Sequence, residues 1–231
     1  PLNILAQKTV SSFQAGGISG RFMADNIINL EAKALLFLFQ KQLLGGIFAL
    51  DQAAAFPTIA RGFIHWVLRK MQVPRRIRKL IKLLYSSGNN GVSFKGRIYH
   101  YFVAESGVKQ GDPAAMVTFV LCFDPILRWI NSLLSPINSH LFAYCDDVGI
   151  VSANMIRTWS TLSKCFHIVS RISSLHLNVS KTQALCLFED KQSSISSSLQ
   201  EIDSNLHSDC FNDYIKYLGI FLGPGAERVQ W

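Results

Sequence analysis

Two adjacent carboxylates, Asp146 and Asp147, interrupt the otherwise apolar stretch Leu141–Ser152, LFAYCDDVGIVS. Short apolar runs on either side of a two-residue polar break read as a β-hairpin, with the acids at or beside its turn. Neighbouring carboxylates repel one another and resist desolvation, so without a counter-ion at least one carries a raised pKa. A divalent cation removes that difficulty, because hard oxygen ligands are what Mg²⁺ prefers. Taken alone, the dipeptide reads more readily as a solvated turn. A third acid, Asp51, ends the apolar run Ile47–Leu50. From a buried strand its side chain would project off a rigid edge into a site, or it would cap a following helix. Phe56 comes five residues later, and by itself reads as a core aromatic. The segment GVKQGDP (107–113) is a glycine-containing turn into a helix. A helix N-terminus offers free N–H groups and the positive end of a dipole to phosphate.

The elements that must position these residues follow from periodicity and punctuation. Residues 1–20 read as loop, with Gly16, Gly17 and Gly20 as breaks. A helical pattern runs from about Ala24 to Gln40, and Gly45-Gly46 separates it from the Ile47–Leu50 strand. Pro57 suits the first turn of a helix continuing to about Met71, and Pro74 opens another through Tyr85. Gly88–Gly91 signals a turn between extended segments around Val92–Lys95 and Ile98–Val103. Asp112-Pro113 reads as N-cap and first position of a helix to about Leu134. After the carboxylate hairpin come an amphipathic helix, Met155 to Leu175, and a strand, Ala184–Phe188. The polar run Gln192–Ser198 reads as a mobile Ser-rich loop, and Tyr217–Leu222, YLGIFL, as a strand. Strands interleaved with helices predict an α+β fold with a largely antiparallel sheet.

The chain has 231 residues, 49% of them hydrophobic, enough for a large core, and its composition excludes a disordered chain. Lys+Arg number 23 against 15 Asp+Glu, a formal charge of +8 that attracts polyanions, nucleic acid foremost. The basic run Arg75, Arg76, Arg78, Lys79, Lys82 alternates with apolar residues along one predicted helix. It reads as a solvated face or as a contact to nucleic-acid phosphate. The five cysteines are scattered without a CxxC pair, which suggests reduced thiols inside a cell rather than zinc or disulfides. No signal peptide opens the sequence. Asp124 and Pro125 are expected to stop the apolar run Ala114–Phe123 short of a membrane span. The sequence opens on Pro1 and stops at Trp231 in mid-flow, as a piece of something longer would.

Taken in order, these motifs resemble the reverse transcriptase domain of non-LTR (LINE-type) retrotransposons. QAGGISGRFMADNI (Gln14–Ile27) resembles the family's finger motif, Q-x-G-F-x-x-x-R-x-x-x-D-N-I in outline. LDQAAAFPTI resembles its first catalytic motif, D-x-x-x-A-F-D. SGVKQGDPAAM resembles G-V-x-Q-G-D-P-L-S-P, FAYCDDV the F-A-D-D hairpin, LHLNVSKTQ the G-L-x-x-N-x-x-K-T segment, and YLGIFLG the Y-L-G strand. Departures are Gly17 for the usual Phe, Pro57 for the second Asp, Ala114-Ala115-Met116 for Leu-Ser-Pro, and Cys145 for Ala.

The resemblance implies a right-hand polymerase palm, an antiparallel sheet backed by helices, with partial fingers and no thumb. Residues 1–45 would be partial fingers and 46–231 mainly palm, with the Ser-rich loop at about 190–213. Asp51, Asp146 and Asp147 would be the catalytic acids and metal ligands of a two-metal nucleotidyl transfer with Mg²⁺, or Mn²⁺ in its place. Phe56 would lie under the sugar and exclude a 2′-hydroxyl, Gln110 and Gly111 would border the incoming nucleotide, and Arg21 and Lys181 would face its triphosphate. Either cation reads otherwise as simply exposed. The implied partners are an RNA template, a DNA primer and deoxyribonucleoside triphosphates, with no membrane. Thumb and endonuclease regions of a longer polyprotein would lie outside this sequence, and a nuclear location is expected. Two alternatives are a catalytically degenerate remnant that only binds nucleic acid, and a group II intron maturase-type protein, to which the finger motif is less well suited.

Overall fold

Every residue of Gly46–Leu50 is buried, which requires cover on both faces of the strand they form. The computed structural model describes residues 2–86, 89–109 and 111–229 and supplies that cover. In chain order its elements are α1 (Leu2–Thr9), α2 (Met23–Phe39), β1 (Gly46–Leu50), the one-turn α3 (Ala55–Thr58), α4 (Arg61–Lys70) and α5 (Arg75–Ser86). The hairpin β2 (Asn89–Phe94) and β3 (Arg97–Val103) follows, then α6 (Ala115–Leu134), β4 (Ser139–Tyr144), β5 (Asp147–Ser152) and α7 (Met155–Ser173). The chain closes with β6 (Gln183–Cys186), α8 (Gln192–Ile202), β7 (Ile215–Tyr217) and β8 (Ile220–Leu222).

Strands β4, β5, β1 and β6 form, in that order, an antiparallel sheet with β1 inside it. The two-residue period of a strand sends alternate side chains to opposite faces. Phe48, Leu50, Leu141, Ala143, Val148 and Ile150 meet the helical layer of α6 and α7, where the Phe48 and Trp159 rings lie 5.4 Å apart. Ile47, Ala49, Val151 and Leu185 meet Leu30, Ala34 and Phe37 of α2, together with Ile215, Tyr217 and Leu222 of the β7–β8 hairpin. The expected α+β architecture, an antiparallel sheet backed by helices, is therefore present.

Several local expectations need correction. Residues 2–9 are a helix, because Ala6 and the residue after the helix, Val10, are both buried and pin one face. The helix expected from Pro57 to Met71 is two, α3 and α4, parted at Ile59-Ala60, where the Ala60 N–H donates instead to the Ser173 carbonyl at 2.8 Å. Asn89–Gly91 lies within β2; the turn is at Lys95-Gly96, both with positive φ (49° and 73°). The Ser-rich run forms α8, since Ile195 and Leu199, four apart, both reach the core. Tyr217–Leu222 is a hairpin, with Leu218 and Gly219 at φ 51° and 83° making its turn.

Helix α6 runs straight through Asp124-Pro125. By length and composition it could cross a membrane, yet most of it is buried as the central helix of the core. Asp124 is tolerated inside because it accepts from the Ser11 N–H (2.9 Å) and pairs with Arg128 (2.8 Å).

Candidate active site

Leu50 of β1 pairs with Val148 of β5, and the same register carried one step further sets Asp51 opposite Asp147. Opposed residues of an antiparallel pair share a face, and here it is the face bearing Ala49 and Tyr217. Asp51 and Asp147 line one small pocket of about 80 Å³ together with Lys181, Gln183, Lys216 and Tyr217. Asp51 is not a helix cap: the residue before α3 is Ala54. Its backbone is fixed from the other side, where its carbonyl accepts from the Asn178 N–H at 2.8 Å and the Ala53 N–H donates to His176 at 2.9 Å.

Asp146 lies in the two-residue turn, since Tyr144 pairs with Asp147. Burial raises the pKa of Asp146 most, Asp51 adds to it, and a backbone hydrogen bond pulls the other way. For Asp147 burial is again the largest cause, followed by the charges of Asp146 and Asp51. The three acids thus feel one another's fields. Beside them the Cys145 thiol is pushed up to about 12 by burial and by both aspartates, so it stays neutral and adds no further charge.

The turn is held by a residue to which sequence reasoning gave no role. Cys145 has φ 55°, a left-handed conformation that costs a non-glycine residue about 1 kcal/mol or more. Gln14, fully buried, grips it with both ends of its amide: Nε2 donates to the Cys145 carbonyl and Oε1 accepts from the Cys145 N–H, each at 2.9 Å. Oε1 also accepts from the Gly16 N–H at 2.8 Å. Any Cβ on Gly16 would fall 2.1 Å from the Cys145 nitrogen, so only glycine permits this approach. Asn26 donates to the Ala143 carbonyl at 2.7 Å, and Tyr217 to that of Phe142 at 3.1 Å. The sequence separation of 131 from Gln14 to Cys145 hid this clamp; the only signal was Gln14's place in the finger motif.

The other expected site residues are distributed as follows. Phe56 is half-buried and stacks on Phe119 at 4.5 Å and 19°, which fixes its ring plane. Gly111 is exposed with φ 89°, whereas Gln110 lies outside the described residues. Asp112 is not the N-cap of α6: one carboxylate oxygen accepts from the Ala114 N–H (2.9 Å), the other from the Tyr85 hydroxyl of α5 (2.8 Å). Lys181 shares the pocket of Asp51 and Asp147. Arg21 turns its guanidinium onto backbone carbonyls, those of Ser11, Gln14 (2.5 Å) and Val10 (2.9 Å), so it braces the loop carrying Gln14. Two of the departures meet in space: a Cβ on Gly17, whose φ is 67°, would fall 2.8 Å from the Met116 sulfur.

Among the described residues, no three His, Cys, Asp or Glu side chains close around a single point tightly enough to hold an ion. The donor set nevertheless fits a hard divalent cation. It consists of carboxylates only, and none of the three forms an ion pair among the described residues. Two of the three are burdened by burial and mutual charge that a cation would relieve.

A profile of the family described as reverse transcriptase (RNA-dependent DNA polymerase) matches residues 2–222. The chain belongs to the reverse transcriptase family. It is similar to the retrovirus-related Pol polyprotein of the type-2 retrotransposable element R2DM from Drosophila melanogaster, 27% identical over 136 residues, or 57% of this chain and 13% of that one. This agrees with the non-LTR resemblance of its motifs. In fold it is similar to telomerase from Candida albicans, solved with a fragment of telomeric RNA. The TM-score is 0.65 at 10% identity, over 96% of this chain and 36% of that one. A telomerase from Candida tropicalis truncated of its C-terminal domain gives 0.62 at 12% identity, over 96% and 41%. The chain thus spans well under half the length of each relative. The sheet and its flanking helices are a polymerase palm.

Proposed function

We propose that this reverse transcriptase domain extends a DNA primer by copying an RNA template, and that Asp51, Asp146 and Asp147 hold its two Mg²⁺ ions. The observation that supports this is the register of β1 with β5, which sets the acid ending one strand opposite the acid beginning the next. Bound divalent ions would lower the pKa of the primer 3′-hydroxyl and stabilise the leaving pyrophosphate. The chain's own residues do the positioning. Gln14 and Gly16 fix the turn carrying Asp146, and residues 176–178 fix the backbone at Asp51. Lys181, on the wall shared with two of the acids, takes up triphosphate charge. Phe56, backed by Phe119, blocks the space of a ribose 2′-hydroxyl. Gln110 and Gly111 border the incoming nucleotide, and Arg21 acts through the loop it braces.

The test is primer extension on an RNA template with Mg²⁺, using Asp146→Asn as the control. Template-dependent products from the native chain and none from the variant are expected. Retained RNA binding with no extension by the native chain would overturn the catalytic reading in favour of a domain that only binds nucleic acid.

A further inference from the structure

Between Asp51 and Glu105 the chain has no acidic residue at all, yet ten of its 23 cations lie there. The rest of the chain carries 13 cations against 15 acids, so the whole positive excess belongs to the segment α4–α5–β2–β3. Within it, Arg75, Arg78, Lys79 and Lys82 of α5 and His65 of α4 line an open groove of about 280 Å³. The His65 pKa is lowered, by burial first and then by the charges of Lys82 and Arg61.

We propose that this α4–α5 groove is a nucleic-acid phosphate-backbone site, separate from the carboxylate pocket and independent of base sequence. This rests on the reading of the domain as one that acts on nucleic acid, and names where the strand is gripped. Residues 75 to 82 advance about 10 Å along a helix axis, about three phosphates of one duplex strand. Beyond the groove, the same segment exposes Phe94 and Tyr99 beside Lys95, whose ammonium lies 5.5 Å from the Phe94 ring. Aromatic faces among cations suit stacked bases. An anionic membrane is the weaker partner. A surface-seeking helix segregates an apolar face outward, whereas α5 turns Ile81 and Tyr85 into the core and, of its exposed Leu80, Leu83 and Leu84, sets the most exposed, Leu83, between Arg76 and Lys79 around the helix. The helices that line the groove are also tied to Gly107 and Asp112, Tyr85 of α5 donating to the Asp112 carboxylate (2.8 Å) and Arg61 of α4 to the Gly107 carbonyl (3.3 Å).

The experiment compares two triple variants of equal charge change in the 231-residue chain. One is Arg75→Gln/Lys79→Gln/Lys82→Gln in the groove, where all three side chains are exposed; the other is Lys41→Gln/Lys164→Gln/Arg171→Gln, also exposed, elsewhere. Binding of a fluorescent single-stranded RNA is followed by anisotropy against salt, and circular dichroism confirms the fold of each. The groove variant should lose at least about tenfold in affinity at low salt, and its log–log salt slope should fall by about 2, at roughly 0.7 per phosphate contact. The control should keep the native slope. Equal losses in both would reduce the effect to net charge and overturn the site. Tight binding of phosphatidylserine vesicles, lost in the groove variant while RNA binding stays native, would overturn it in favour of a membrane. The two proposals fail separately, since the groove variant is read by RNA anisotropy alone, whether or not the native chain extends a primer.

Discussion

The hairpin that carries the paired acids and the segment that carries the positive charge are built in opposite ways. Both backbone polar groups of Cys145 are gripped: Gln14 makes two hydrogen bonds to it, Gly16 packs against its backbone, and Asn26 and Tyr217 hold the strand behind it. The basic segment exposes nearly all of its charge and closes no ion pair among the described residues. Chemistry on a fixed pair of atoms needs geometry held to a fraction of an ångström, and such precision comes from buried, fully satisfied polar contacts. Capture of a charged strand needs only a field, which solvated side chains supply at long range. The contrast predicts that changes at the hairpin act on turnover and on fold, and changes in the basic segment on affinity alone.

The largest effect is expected at the acids. Asp51→Asn and Asp146→Asn should each cut primer extension by about 10²–10³-fold or more, with native circular dichroism and native RNA affinity. Loss of RNA affinity in either would blur the division between the regions. Next comes the clamp. Gln14→Ala leaves the Cys145 N–H and C=O and the Gly16 N–H without partners. It should lower the unfolding free energy by about 2–4 kcal/mol in urea titrations and depress single-turnover rates even where the chain is folded. Full turnover with lowered stability would leave Gln14 a role in folding only.

A smaller effect concerns pH. Asp146 and Asp147 have raised pKa values in the folded chain, so the folded state binds protons more tightly than the unfolded one. In chelator, their contribution to stability is fully present below the ordinary carboxylate value and is lost as pH rises through the raised values. The native chain should therefore lose stability relative to Asp147→Asn on going from about pH 4 to about pH 7. Added Mg²⁺ should restore it at neutral pH, and a magnesium effect of equal size in the variant would count against Asp147 as a ligand. Smallest in overall rate is Phe56→Val, which should raise ribonucleotide over deoxyribonucleotide incorporation severalfold. An unchanged ratio would return Phe56 to core packing against Phe119.

The hairpin was legible in the sequence because local order encodes it: apolar run, two acids, apolar run. The strand ending in Asp51 and most long helices were legible for the same reason. What escaped is set by distant partners or by backbone conformation. The Ser-rich composition of Gln192–Ser198 argues for a loop, and only the core contacts of Ile195 and Leu199 make it a helix. Leu218 gives no sign that it sits in a turn, and Asp112 looked like a helix cap until Tyr85 arrived to share it. At the site, the type and order of the three acids were readable. Their common face, and the hold of Gln14 on the turn, depend on pairings between residues far apart in the chain.

The approach of the Met116 thioether to Gly17 links two of the positions at which the sequence departs from the motifs it resembles. The usual phenylalanine at the first position would carry a side chain into the Met116 sulfur and into a left-handed backbone. The usual proline at the second would empty the space that methionine now fills. The two positions are thus neighbours in space, and a side chain added at the first meets the thioether of the second. In a double-mutant cycle, Gly17→Phe and Met116→Pro together should destabilise the fold by less than the sum of their separate costs, with a coupling of about 0.5–3 kcal/mol. Coupling of that size would mean that neither position can be replaced without regard to the other, and a value near zero would make them independent.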